Sequence, residues 1–474
     1  MRKLFYIILF FVVPLQLFAQ ADTAQWLPPE PQHYAFIHDA DNVFTQQNRL
    51  DTFFRKLVRL KATRRGKVNI VHIGDSHMQA DMMTCIVRNG FQDFFGDAGR
   101  GLVFPYQLAA TNAPKDIHAA TNATWTNAKI IGRDLTKKTG ICGIGLQTDN
   151  KKAFVRMNVR DAELNPCLFN RMVFFLGDDE ATYRITDSAL SEPAELHTRR
   201  YADTPSVVYD APALLNGFEL TKIESATDES FGFYGVSLER NDTCGVLYHT
   251  IGVNGARYDQ YNNSDLFWRQ LKALHGDLFI VSLGTNEAQT LHVNEPAFAA
   301  ICQTFVQNIR RIAPRATILI TTPPGSYFRG KKPNAAVEAV SHALTQVCAA
   351  GQMPYWNLNA ISGGKTSALG WNKANMLARD LVHFNQSGYQ LQGQLFLSAF
   401  ARAYNSYARQ HHYVAPKPVQ PKLPVIAMKK TVVADKTVVT QPVPQPAAPV
   451  PQPAKDTSAT GTKKRSNIKL EYLE

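Results

Sequence analysis

The sequence is poor in cysteine and in charge, and it has almost no long apolar runs. Six cysteines in 474 residues exclude a disulfide-dense miniature scaffold. No Cys-x-x-Cys pair or Cys/His cluster has metal-ligand spacing, so no metal site is expected. After the amino terminus no segment supplies the ~18 apolar residues of a membrane-spanning helix. Charged residues make up only 19% of the chain, and the net charge of +12 is concentrated at its ends. Residues 1–19 carry +2, and residues 414–474 hold ten Lys/Arg against four Asp/Glu, which leaves +4 for everything between. So neutral a body lacks the basic footprint that duplex binding needs, and nucleic acid is not expected as a partner.

What is present begins with a globular core, since 45% of the residues are apolar and a chain of this length reads as two to three domains. Arg2-Lys3, the apolar run 4–13 and the small-x-small step Ala19-Gln20-Ala21 together read as a removable secretory signal over 1–21. The mature protein is then expected to be exported, with no stable membrane insertion. Export permits disulfides among Cys85, Cys142, Cys167, Cys244, Cys302 and Cys348, whose pairing sequence does not choose. Cys85, Cys302 and Cys348 fall in helix-like apolar runs, where a buried free thiol is the plainer reading.

Five apolar, mostly β-branched runs, 68–73, 245–252, 278–283, 316–321 and 355–358, are bounded by turn or cap signals and read as strands. Between or after them lie helical patterns. Phe298, Ile301, Phe305, Ile309 and Ile312 recur at helical spacing behind the capping candidate Asn294, and further helices are expected over 335–348 and from Ser387 into Ala401. Alternating strands and helices imply an α/β fold with a parallel sheet covered on both faces. The alternation fails between about 104 and 243. Short runs at 153–159, 172–176, 206–209 and 231–238 point there to an inserted all-β sandwich or jelly roll. Beyond Tyr413 ten of the 26 prolines crowd into a Lys-rich tail that is expected to be extended and unfolded.

The first strand ends in Gly74-Asp75-Ser76-His77. A serine on a strand-to-helix turn projects from the carboxyl edge of the sheet, where open α/β folds place ligands. Such a serine needs a base. Asp380-x-x-His383, just before the last helix, places a carboxylate where it orients an imidazole. Acyl chemistry also needs donors for an oxyanion. Gly255 in Asn254-Gly255-Ala256 and Asn286 in Gly284-Thr285-Asn286 follow the second and third strands, and the Ser76 N–H would be a third donor. Each of these tripeptides, taken singly, also reads as an ordinary turn.

Taken in order, Gly74-Asp75-Ser76, Gly255, Asn286 and Asp380-x-x-His383 resemble the four blocks of the SGNH (GDSL) hydrolase superfamily. The resemblance implies a flavodoxin-like three-layer α/β/α core over 22–104 and 245–413, interrupted by a β domain at 105–244 and followed by the tail, 414–474. It implies a catalytic triad of Ser76, His383 and Asp380, and an oxyanion hole formed by Ser76, Gly255 and Asn286, with no cofactor. The sequence departs from the pattern at His77, where leucine is usual, and at Glu287, where aspartate is common. His77, the long β insert and the export signal look like the peptidoglycan O-acetylesterases of the cell envelope, whose insert resembles a carbohydrate-binding module. The implied activity is removal of acetyl from a cell-envelope glycan, the muramoyl 6-oxygen of peptidoglycan. An O-acetyltransferase, an esterase of another acetylated polysaccharide and a glycan-binding protein with a vestigial site are the alternatives. His77 either lines the sugar site or packs against the following helix. Trp371 is either core or a stacking surface for a sugar ring.

Overall fold

The sheet grows around β2 (Lys67–Gly74), where Ile70, Val71, His72 and Ile73 are all buried. Such a strand needs cover on both faces. Its neighbours are β3 (Gly245–Gly252) and β4 (Leu278–Ser282), each parallel to it. Next to β4 come β5 (Thr317–Thr321) and β6 (Tyr355–Trp356), also parallel, and β1 (Phe44–Thr45) closes that edge antiparallel to β6. The order β1-β6-β5-β4-β2-β3 puts β2 centrally although it comes early in the chain. The computed structural model describes residues 25–411 apart from 133, 135–136, 161–166, 178–179, 188–189, 199–204 and 226–229. The expected signal and tail therefore lie outside the described residues.

Side chains alternate between two cores. Val68, Ile70, Ile280 and Leu319 face α1 (Asp51–Thr63), α2 (Thr84–Phe95) and α5 (Gln386–Gln410). Val71, Ile73, Phe279 and Ile318 face α3 (Glu295–Ile312) and α4 (Ala336–Gly351). Asn294 caps α3 as its sequence implies, its side chain accepting from the Ala297 N–H at 3.1 Å. The result is the expected three-layer α/β/α core.

The inserted region builds two antiparallel sheets. One runs in the order Ala194–His197, Ala181–Thr186, Gly217–Ser225, Phe154–Val159 and Ile117–Ala120; the other runs Val207–Leu215, Phe169–Leu176, Phe231–Glu239, Ile144–Thr148 and Thr126–Lys129. Inward residues of the two sheets interdigitate, with Phe174 edge-on to Phe218 at 5.2 Å and Tyr183 against Phe231 at 5.4 Å between ring centroids. Their core is continuous with the α3/α4 side of the parallel sheet through Leu102, Phe104, Val253 and Tyr261. All six cysteines are free thiols; Cys302 and Cys348 are buried and Cys85 half-buried.

Candidate active site

Gly74 pairs with both Gly252 and Ser282, so the carboxyl ends of β2, β3 and β4 lie side by side. The chain leaves β2 through Gly74 because no other residue fits. A Cβ there would lie 2.4 Å from Met78 Cγ and 2.9 Å from the Ser282 carbonyl oxygen. The helical turn Ser76–Gln79 follows at once, capped by Asp75, whose Oδ1 accepts from the His77 N–H at 3.0 Å. Ser76 thus opens a helix at the edge of the sheet.

His383 reaches the same edge on a tight loop before α5. Leu377 bridges Phe384, the Ala378 N–H donates to the His383 carbonyl at 2.8 Å, and Leu381 takes φ +57°. Asp380 Oδ1 accepts from the Val382 and His383 N–H groups at 3.0 and 2.9 Å. Its Oδ2 lies 2.5 Å from His383 Nδ1, and His383 Nε2 lies 2.7 Å from Ser76 Oγ. Partial burial alone would raise the Asp380 carboxyl, but these hydrogen bonds outweigh it and hold the group below the ordinary aspartate range. It is therefore an anion facing the imidazole.

Gly255 is exposed at this edge with φ +80°, a left-handed conformation that suits glycine. Asn286 stands beneath it. Its Nδ2 donates to the Ala256 carbonyl at 3.0 Å and, at a longer 3.3 Å, to Asp75 Oδ2, tying the Gly255 loop to the serine turn. The unusual Glu287 braces the same loop from below, Oε1 accepting from the Tyr258 N–H at 2.9 Å. Burial pushes the Asp75 and Glu287 carboxyls up to about 7 each, Glu287 adding to the effect at Asp75.

The five expected groups Ser76, Gly255, Asn286, Asp380 and His383 are brought together. The two residues offered as substrate-lining are not. Trp371 is 0% exposed, edge-on to Phe36 and Phe384 at 5.0 and 4.9 Å, and presents no face to a sugar. His77 is 5% exposed; its Nδ1 lies 3.0 Å from Tyr389 Oη, and its ring lies 5.2 Å from that of His383. Burial, reinforced by His383, lowers its pKa to about 3. His77 is a neutral, buried ring packed behind His383. Sequence reasoning missed Gln79, which is buried under the site, and Ile131 of the insert, the nearest side chain to the face of Gly255. The first could be sought on the serine's own turn, whereas nothing local marks the second. Among the described residues no group of three or more His, Cys, Asp or Glu could hold a metal ion.

The three-layer sheet, with a serine, a histidine and an aspartate in hydrogen-bonded series at its carboxyl edge, defines the SGNH hydrolase fold. Residues 216–391 match the GDSL-like Lipase/Acylhydrolase family; Ser76 lies ahead of that segment and joins it through the sheet. Among solved structures the chain is similar to a peptidoglycan O-acetylesterase, with a TM-score of 0.64, 22% identity, and coverage of 77% of this chain and 99% of that one. That coverage is more than the α/β core alone supplies. A lipase/acylhydrolase from Enterococcus faecalis matches at 20% identity over 34% of this chain and 77% of its own, with a TM-score of 0.25. An acetyl xylan esterase matches at 16% identity over 33% of this chain and 82% of its own, with a TM-score of 0.26. No curated protein matches in sequence.

Proposed function

We propose that the protein is an exported serine esterase that removes O-acetyl groups from a cell-envelope glycan, peptidoglycan, through an acyl-serine intermediate. The observation that carries this reading is the series Asp380 Oδ2, His383 Nδ1, His383 Nε2 and Ser76 Oγ, joined at 2.5 and 2.7 Å. His383 takes the Ser76 proton as Oγ attacks the acetyl carbonyl, and Asp380 stabilises the resulting imidazolium. The oxyanion is received by the N–H groups of Ser76 and Gly255 and by the Asn286 amide. A developing charge is a stronger acceptor than the distant Asp75 Oδ2 and replaces it. His383 then protonates the leaving sugar oxygen, and a water activated by the same imidazole releases acetate.

The substrate class is supported by the likeness to the peptidoglycan O-acetylesterase, which extends into the β sheets. Acetate release from O-acetylated peptidoglycan, O-acetylated xylan and a short lipid ester tests it. The expected result is release from the first alone. Preference for xylan or lipid overturns the substrate. Loss of acetyl from the donor only when an acceptor sugar is supplied, with the acetyl recovered as an ester on that sugar and no acetate freed, identifies a transferase. Inactivity toward all three with glycan binding retained identifies a vestigial site.

A further inference from the structure

We propose that Gln79 is a positioning residue for the oxyanion hole, and that through it Thr111 and Asn112, at the threshold of the β insert, set the place of the Gly255 N–H. The inference rests on the reading of Ser76 as nucleophile and Gly255 as donor. Gln79 ends the turn that Ser76 begins and is 1% exposed. Its side chain has one arm on each of two other segments. Oε1 accepts from the N–H of Asn254, the residue before Gly255, at 2.8 Å. Nε2 faces Thr111 Oγ1 at 2.9 Å, the Asn112 carbonyl at 2.8 Å and Asn112 Oδ1 at 2.7 Å. Asn254 Nδ2 closes the ring by donating to Asn112 Oδ1 at 2.7 Å.

This ring joins the nucleophile turn, the oxyanion loop and the approach to the insert. Gly255 needs such a tether. Without a side chain and at φ +80°, it does not hold its own peptide orientation by packing, yet an oxyanion donor acts only when aimed. The backbone of Asn254 is its immediate support, and Gln79 fixes that backbone relative to Ser76. Close contact helps, since a Cβ at Gly252 would lie 2.4 Å from the Gln79 nitrogen. The insert thereby belongs to the catalytic apparatus even for a substrate too small to touch it.

Steady-state kinetics on an aryl acetate test this. Gln79→Met removes both arms at similar volume, and we expect kcat to fall by about 10- to 100-fold with KM changed by less than about twofold, as for a small misplacement of a catalytic group. If Gln79 acts through the Gly255 N–H, Gly255→Ala combined with Gln79→Met loses no more than Gly255→Ala alone. A merely structural glutamine lowers the melting temperature and leaves kcat per folded molecule unchanged, and a glutamine that acts elsewhere than through Gly255 lowers kcat but gives losses that multiply; either result overturns the proposal. Should Gln79→Met not fold, Thr111→Val with Asn112→Ala removes the side-chain acceptors from the more exposed side, with an expected kcat loss of at least about threefold and the same non-additivity. Activity lost in Ser76→Ala but kept in Gln79→Met overturns this proposal alone, whereas an active Ser76→Ala protein overturns the reading beneath it.

Discussion

At the scale of single residues, the site is built from carboxyl groups whose protonation is set by the balance of burial against hydrogen bonds. Asp380 is the partly solvated carboxylate that stays ionised, and replacing it by asparagine should lower kcat by about 10²–10⁴ while leaving the fold intact, as steady-state kinetics and a thermal melt would show. Asp75 and Glu287 are the opposite case. Their folded-state values near 7 lie above the ordinary 3.8 and 4.5, so both favour the folded state most when protonated. That contribution is complete below about pH 4 and is lost as pH rises through 7. A thermal melt of Asp75→Asn/Glu287→Gln against wild type isolates it. Relative to the variant, the native protein should lose several degrees between pH 5 and pH 8, and a constant difference would contradict the assignment. Ser76, Gly255 and Asn286 were legible as turn residues just beyond strand ends, and Asp380 and His383 as an Asp-x-x-His step just before the last helix. Trp371 was not, because an aromatic near a catalytic loop reads alike whether it faces sugar or core. Its full burial makes Trp371→Ala a change costing about 3–5 kcal/mol, with KM for glycan unaltered in the folded fraction.

At the scale of elements, the close approach of the Ser76 turn to β2 and β3 decides precision. Gly252 has no room for a side chain against Gln79. Gly252→Ala should therefore cost about 1–3 kcal/mol in stability and lower kcat by about tenfold or more through displacement of the serine turn, measured by denaturant unfolding and aryl acetate turnover. Four strands of the parallel sheet, β2 to β5, were readable because they are continuous β-branched runs buried on both faces, whereas β6 is only two residues long, Tyr355–Trp356, and the edge strand β1, Phe44–Thr45, carries no such run. The strands of the insert were only half readable. Phe169–Leu176 and Phe231–Glu239 are apolar enough to stand out, but Thr126–Lys129 buries only Ala128 among its four residues, and Ile117–Ala120 buries only Ile117. Edge strands of this kind are held by their ladder, which local sequence does not show.

At the scale of the whole molecule, the order of the motifs revealed the α/β core, and the failure of helical spacing revealed the insertion. Neither revealed that the two share one apolar core or that Asn112 and Asn254, 142 positions apart, meet through Asn112 Oδ1. Removal of residues 105–244 should expose Phe104, Val253 and Tyr261 together, and gel filtration should show aggregated protein with no esterase activity rather than a working smaller hydrolase. The central claim is that Ser76 carries the acetyl group in the reaction. Acid quenching of the protein during turnover of O-acetylated peptidoglycan, followed by peptide mass spectrometry, tests it most directly. The account predicts an acetyl adduct on the peptide containing Ser76, absent from the Ser76→Ala protein; acetate release at the wild-type rate by Ser76→Ala, with no adduct on either protein, would contradict it.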